Sequence, residues 1–198
     1  MNGLIGSKNI IVGSGNGVLG NWNTLNGNLN NVNGTANQLQ GSVNTVNGDL
    51  NIIKNGNYNT IDGLQNIINN GNYNGVSGNC NFVQGSVNLV KGNLNTLAGN
   101  YNLVGGNANN VAGSGNGVAG DCNDLVGNSN NVVGHNNNLN GHLNTIFGSV
   151  NNVQGNLNNV AGHSNIAVGN QNDVVGCNNS LFGNENSVNG NENGVVGN

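Results

Sequence analysis

Residues 6–33 decide the fold, because they read GSKNIIV, GSGNGVL, GNWNTLN and GNLNNVN in four successive blocks of seven. Each block begins with Gly, has Asn at its fourth position and an aliphatic residue at its sixth, so the consensus is G-x-x-N-x-[VLI]-x. Positions one to seven are counted from that Gly. The heptad recurs along the whole chain and is interrupted only by one extra residue at Asn55 and one at Asn70. Such an internal repeat indicates a repeat architecture.

A period of seven residues also suggests a coiled coil, but this heptad lacks the pattern that a coiled coil requires. Coiled coils need two apolar positions per heptad with good helix formers between them, whereas this unit has one apolar position, one Asn and one Gly. We predict instead one strand and one corner per heptad, with positions three to seven extended and Gly at the corner. Positions four and six then point to the same face, because side chains alternate along a strand.

The predicted fold is therefore all-β: a parallel β-solenoid, or β-roll, of about fourteen coils, each with fourteen residues and two short strands. Inside it, position six forms columns of Val, Leu and Ile, represented by Val32 and Val111, and position four forms Asn ladders. Stacked Asn side chains bond to neighbouring coils and so satisfy amides that burial would otherwise leave unpaired. The spacing of Asn55 and Asn70 predicts two longer coils that bulge at one corner. We expect one solenoid domain over residues 1–198.

The composition agrees with a scaffold of corners and ladders. Of 198 residues, 36 are Gly, 58 are Asn, none is Pro and only 5% are charged. Gly and Asn are poor helix formers, which excludes a helical protein, and apolar residues at a fixed period argue against disorder. One ladder Asn per heptad accounts for twenty-eight of the 58 Asn, and we expect the function to lie among the remaining thirty (58 minus 28).

The x-x-N-x-V-x-G repeat resembles that of the ice-binding, ice-recrystallisation-inhibiting β-roll proteins of cold-tolerant grasses. The likeness is carried by stretches such as residues 6–13, GSKNIIVG, and residues 92–97, GNLNTL, and it extends over the chain. The heads of trimeric autotransporter adhesins have a similar fourteen-residue roll, but with Ser and Ala where this chain has Asn and Val. The grass resemblance implies a protein that adsorbs to ice through a flat outer sheet face bearing Thr, Ser and Val beside position six.

Two sets of outward positions are candidates for an ice-binding or partner-binding face. Thr occurs beside position six at five sites, of which only Thr45 and Thr60 fall on consecutive coils of one sheet. On the sheet of alternate heptads, apolar residues occupy position three in six successive coils, and apolar or small residues occupy position seven further along. Exposed apolar stripes usually mark an interface; alternatively, position three folds into the corner and is partly buried. The candidate face comprises Leu29, Val43, Tyr58, Tyr73, Val87 and Tyr101 at position three, Thr45, Thr60 and Thr145 at position five, and Ala119, Val133, Phe147, Ala161 and Val175 at position seven.

Catalysis and cofactor binding find little support in the sequence. The three His, His135, His142 and His163, all fall at position two, a solvent-facing corner, and no Cys or carboxylate recurs at metal-ligand spacing. We therefore predict no enzymatic activity, no catalytic or metal site and no cofactor. Three Lys and no Arg leave little positive charge for nucleic-acid binding, and no apolar run approaches the length of a membrane span.

The two chain ends suggest a second class of function. Residues 197–198 followed by residues 1–5 complete one heptad, so successive chains would stack in register. Uncapped solenoid ends expose strand edges, which favours head-to-tail assembly into a filament. Two hypotheses therefore remain, an ice-binding protein and a self-assembling structural fibre, with ice or a second copy as the partner. We expect a cytosolic protein if Met1 is the true start and a secreted one if a leader was removed.

Overall fold

The computed structural model describes residues 1–197, which form short parallel strands and contain no helix. These residues fall into two compact units, Met1–Tyr101 and a second that begins at Asn102. The strands of the first unit are β1 Gly3–Ile5, β2 Ile10–Val12, β3 Gly17–Leu19, β4 Thr24–Asn26, β5 Asn31–Asn33, β6 Gln38–Gln40, β7 Thr45–Asn47, β8 Ile52–Lys54, β9 Thr60–Asp62, β10 Ile67–Asn69, β11 Gly75–Ser77, β12 Phe82–Gln84, β13 Leu89–Lys91 and β14 Thr96–Ala98.

The second unit repeats this arrangement with another fourteen strands. These are β15 Leu103–Gly105, β16 Asn110–Ala112, β17 Gly117–Ala119, β18 Asp124–Val126, β19 Asn131–Val133, β20 Asn138–Asn140, β21 Thr145–Ser149, β22 Asn152–Gln154, β23 Asn159–His163, β24 Ile166–Val168, β25 Asp173–Cys177, β26 Ser180–Gly183, β27 Ser187–Asn189 and β28 Gly194–Gly197.

Within each unit, the odd-numbered strands form one parallel sheet and the even-numbered strands form another. Each strand pairs with the strand two further along the chain, so that Asn131 lies beside Thr145 and Val132 beside Ile146, fourteen residues later. The predicted fold class is confirmed: the protein is an all-β parallel solenoid of about fourteen coils with two short strands per coil. A single domain over residues 1–198 stays a prediction.

The core consists of the position-six side chains, which point inward from both sheets and are buried from Val18 to Val188. Burying each Val, Leu or Ile stabilises the fold by about 1.5–3 kcal/mol. One coil has Ala167 at this position, fully buried between Val153 and Leu181 on the adjacent strands. The predicted aliphatic columns are therefore present, with one smaller residue in the series.

The predicted Asn ladder at position four is confirmed. The side-chain oxygen of Asn16 accepts hydrogen bonds from the backbone N–H of Asn30 at 2.9 Å and from its side-chain amide at 3.1 Å. The same Asn30 amide also donates to the carbonyl oxygen of Gly41 at 2.8 Å. Repeated in successive coils, these bonds leave no buried side-chain nitrogen or oxygen without a partner among residues 1–197.

The corners differ from the prediction in one respect, because most strands contain only positions five to seven. The extended conformation predicted for position three is therefore wrong. Gly at position one has a positive φ in most coils, for example 149° at Gly141, where a Cβ would overlap the carbonyl oxygen of Gly155.

The two inserted residues lie together at one corner, as predicted. Asn55 and Asn70 adopt left-handed φ angles of 51° and 50°. The side-chain amide of Asn55 donates to the side-chain oxygen of Asn70 at 3.2 Å, so the two longer coils stack on each other.

Candidate functional surfaces

Position three is a left-handed turn residue, so the first set of candidate residues lies along a corner of the first unit and not on its sheet. The φ of Tyr58 is 56° and that of Val43 is 61°. This conformation directs the backbone N–H of Tyr73 to the carbonyl oxygen of Asn57 in the preceding coil, at 3.1 Å. We call the six residues the corner stripe: Leu29, Val43, Tyr58, Tyr73, Val87 and Tyr101.

The left-handed conformation is imposed by the coil and not by the residue type. Gly15 has a φ of 69° at the same position, close to the values of its non-Gly counterparts. An L-residue in this region costs about 1–2 kcal/mol, and β-branched residues such as Val43 and Val87 are least suited to it. Asn tolerates it better and occupies it at Asn136 and Asn178. The scaffold therefore gains nothing in backbone energy from bulky apolar residues at this corner.

The side chains of the corner stripe are largely exposed, so the alternative that they are partly buried holds only in part. Tyr73 is 60% exposed and Tyr101 is 69% exposed, whereas Val43 is half-buried. The rings of Tyr58 and Tyr73 stack with their centroids 4.8 Å apart and their planes within 4°. The stripe is thus an ordered ridge of apolar side chains at the spacing of the strands.

Position two forms a second polar ladder that the sequence analysis missed. The side-chain oxygen of Asn170 accepts the backbone N–H of Asn156 at 2.9 Å, and the oxygen of Asn156 accepts the N–H of His142 at 2.9 Å. His142 plays the same part, since its Nδ1 accepts the N–H of Asn128 at 3.1 Å. Asn at position two is therefore also part of the scaffold, so fewer than thirty Asn lie outside it. The signal was the frequency of Asn, Asp, Ser and His at position two.

The predicted Thr pair is present on the odd-numbered sheet of the first unit. Thr45 on β7 lies directly beside Thr60 on β9, and both side chains are exposed. Thr145, in the second unit, stands between Asn131 and Asn159 in the same kind of row. The Thr residues therefore do not form a continuous array.

The second set of candidate residues lies on strands of the odd-numbered sheet, as predicted. Position seven of the odd-numbered strands in the second unit brings Val133 beside Phe147 and Phe147 beside Ala161. Phe147 is 65% exposed and Val175 is 40% exposed. We call this set the strand row: Ala119, Val133, Phe147, Ala161 and Val175.

Few charges lie near these surfaces. Outward residues of the odd-numbered sheet over 103–175 include one charged side chain, Asp173, whose Oδ1 accepts the side-chain amide of Asn159 at 3.0 Å. Elsewhere, Nδ1 of His135 lies 3.4 Å from Asp121, and the ammonium of Lys8 lies 3.9 Å from the Trp22 ring centroid.

The described residues offer no constellation for metal chemistry. Within residues 1–197, no three His, Cys, Asp or Glu side chains come close enough together to hold a metal ion. His163 and Cys177 are register partners on β23 and β25. Cys80 and Cys122 are exposed free thiols. This part of the chain also has no helix with the length and apolarity needed to cross a bilayer.

Comparison with protein families gives a match to the grass antifreeze beta roll over residues 32–127, just under half of the chain. The chain resembles the grass antifreeze beta rolls. No curated protein matches it. The matched stretch contains Thr45, Thr60 and most of the corner stripe, whereas the strand row lies largely beyond it. The matched family, the grass antifreeze beta roll, is non-enzymatic in kind.

Proposed function

We propose that this protein binds ice through the flat outer face of the odd-numbered sheet in its second unit, with the strand row as the central contact. The observation that carries the ice-binding assignment is the match to the grass antifreeze beta roll. The choice of face rests on its regular spacing and its low charge.

Regular spacing matters because ice is a periodic solid. Side chains of the strand row repeat at the strand separation of about 4.8 Å. A rigid array of this kind can make many weak contacts with a repeating surface simultaneously. Because the contacts are linked within one protein, their combined affinity exceeds that of any single contact. The short side chains of Ala119 and Ala161 project less far from the sheet than those of the Val and Phe residues in the strand row.

Weak hydration of the protein surface matters because the water molecules next to it must be able to take the positions of water in the ice lattice. Apolar groups restrict the orientation of first-shell water without fixing it to a charge. The strand row supplies such groups, while Asn131, Thr145 and Asn159 beside it offer neutral hydrogen-bonding groups. The odd-numbered sheet of the first unit is less suitable, because Asp62 and Lys91 project from it.

Ice growth in the presence of the purified protein tests the proposal, with Val133→Lys as the disrupting variant. Lys fits position seven, since Lys54 and Lys91 occupy it, so the variant is expected to fold. Val126→Lys is the matched control, because Val126 has the same position on the even-numbered sheet of the same unit.

We expect the wild type to slow ice growth and recrystallisation, Val133→Lys to lose most of this effect and Val126→Lys to keep it. Ice growth unchanged by the wild type would refute ice binding. Equal losses in both Lys variants would refute the choice of face. The filament hypothesis stays a prediction, and electron microscopy of the concentrated protein checks it.

A further inference from the structure

We propose that the corner stripe is a pairing surface through which two copies of this chain associate side by side, antiparallel, about a two-fold axis. This inference is independent of ice binding, because the stripe lies in the first unit and the strand row in the second.

The apolar ridge of the corner stripe is continuous. The six residues occupy the same corner of successive coils, and the ridge is about 24 Å long at one strand spacing per coil. Leu29 is 63% exposed and Tyr58 is 51% exposed. A contiguous exposed apolar patch of this size on a polar protein marks an interaction site.

The backbone conformation at position three does not favour these side chains. Position three has a left-handed backbone, for which Asn is better suited than Val, Leu or Tyr. The chain nonetheless has Val43 and Val87 at this corner, in addition to three Tyr. Bulky apolar residues occur at this position elsewhere, as at Leu50 and Val150, but within residues 1–197 only this corner has them in six successive coils, which points to a role outside the fold.

The order of the residues favours a second copy as the partner. A two-fold interface must be self-complementary, and the stripe reads Leu, Val, Tyr, Tyr, Val, Tyr along the chain. An axis between Tyr58 and Tyr73 sets Tyr58 against Tyr73 of the partner subunit and Val43 against Val87 of the partner subunit. Only Leu29, set against Tyr101 of the partner subunit, departs from the symmetry.

The chemistry of the flanks agrees with this partner. Neutral Ser42, Asn57, Asn72 and Ser86 border the stripe at position two. On this flank, two copies that meet bring no like charges together. A fully buried Tyr side chain contributes roughly 150–250 Å². Because Tyr58, Tyr73 and Tyr101 are only 51%, 60% and 69% exposed in the single chain, together they offer on the order of 350 Å² per copy. Even with Leu29, Val43 and Val87 added, that area is small for a specific interface and predicts a weak, reversible dimer.

Sedimentation equilibrium over a range of protein concentrations tests the pairing. We expect the mass of the wild type to rise from the monomer value of 20.0 kDa towards twice that value. The double variant Tyr58→Asn with Tyr73→Asn should weaken the association at least about tenfold while the strand signal in circular dichroism is retained. The control, Leu50→Asn with Leu94→Asn, alters position three on the opposite corner, where the side chains are 51% and 63% exposed. It should pair as the wild type does.

Disulfide trapping tests the antiparallel arrangement. In a background with the three native Cys replaced by Ser, Val43→Cys and Val87→Cys are made separately. Cys is compatible with position three, since Cys80 and Cys122 occupy it with φ of 56° and 57°. We expect rapid cross-linking only when the two variants are mixed. Cross-linking of Val43→Cys with itself would overturn the antiparallel arrangement, and a wild type that stays monomeric, or equal weakening in both Asn double variants, would overturn the pairing surface.

Discussion

The side-chain oxygen of Asn130 accepts two hydrogen bonds from Asn144 in the next coil, one from the backbone N–H at 2.9 Å and one from the side-chain amide at 3.1 Å. Asn144 and Asn158 form the same pair of bonds, because the side-chain oxygen of Asn144 accepts the backbone N–H of Asn158 at 2.9 Å and its side-chain amide at 3.1 Å. Asn144 also donates to the carbonyl oxygen of Gly155 at 2.8 Å. Each ladder Asn therefore connects three coils and the corner.

Replacing Asn144 by Ala should destabilise the protein by about 2–4 kcal/mol, because the N–H of Asn158 and the carbonyl of Gly155 lose their partners inside the solenoid. Urea denaturation followed by circular dichroism measures this change. Asn152→Ala is the control, since Asn152 is exposed on β22 and should change stability by less than about 0.5 kcal/mol. Equal effects of the two substitutions would mean that the ladder adds nothing beyond ordinary surface contacts.

Gly141→Ala should destabilise the protein by more than about 3 kcal/mol. Its φ is 149°, and the added Cβ would overlap the carbonyl oxygen of Gly155 in the next coil, so the coils would have to separate. Gly117→Ala provides the comparison, because the nearest atom to a Cβ there is the side-chain oxygen of Asn131 at 3.5 Å. Thermal unfolding of both variants checks the prediction, which fails if Gly141→Ala melts at the wild-type temperature.

Val150→Asn should stabilise the protein by about 0.5–1 kcal/mol. Val150 has a left-handed φ of 60° and is 55% exposed, so Asn relieves backbone strain and sacrifices little packing. Val126→Asn, at a strand position that is 49% exposed, has no strain to relieve and should be neutral or slightly destabilising. The urea midpoints of the two variants decide the point, and a loss of stability in Val150→Asn would contradict the strain argument.

Asn156→Ala should cost about 0.5–1.5 kcal/mol, because the N–H of His142 then loses the side-chain oxygen that accepts it at 2.9 Å. The cost is smaller than in the inner ladder, since water can reach this corner. Asn140→Ala, on an exposed strand position, serves as the reference. If both variants unfold at the same denaturant concentration, the position-two ladder has no role in stability.

The sequence was sufficient to predict the coil, the aliphatic columns, the inner ladder and the shared corner of Asn55 and Asn70, because each depends on strict periodicity. It was insufficient for position three. Local preferences place Val43 and Tyr58 in strands, and only the bond from each N–H to the preceding coil imposes the left-handed turn.

The position-two ladder was missed for a similar reason. Its partners are fourteen residues apart, and the acceptor varies among Asn, Asp, Ser and His. The bonds therefore become visible only once the coils are stacked. Of the candidate surfaces, the strand row could be predicted from the alternation of side chains along a strand. The corner stripe was detected by its period, but it was placed on a strand and lies at a corner.

Direct adsorption to ice tests the central claim. The protein is labelled with a fluorophore at Cys80, with Cys122 and Cys177 replaced by Ser, and an ice hemisphere is grown from its dilute solution. We predict that the labelled protein enters the ice in discrete planes, that Val126→Lys in the same background behaves alike and that Val133→Lys is excluded. If the labelled protein without either Lys substitution is excluded from the ice, as both variants then are, the account is contradicted.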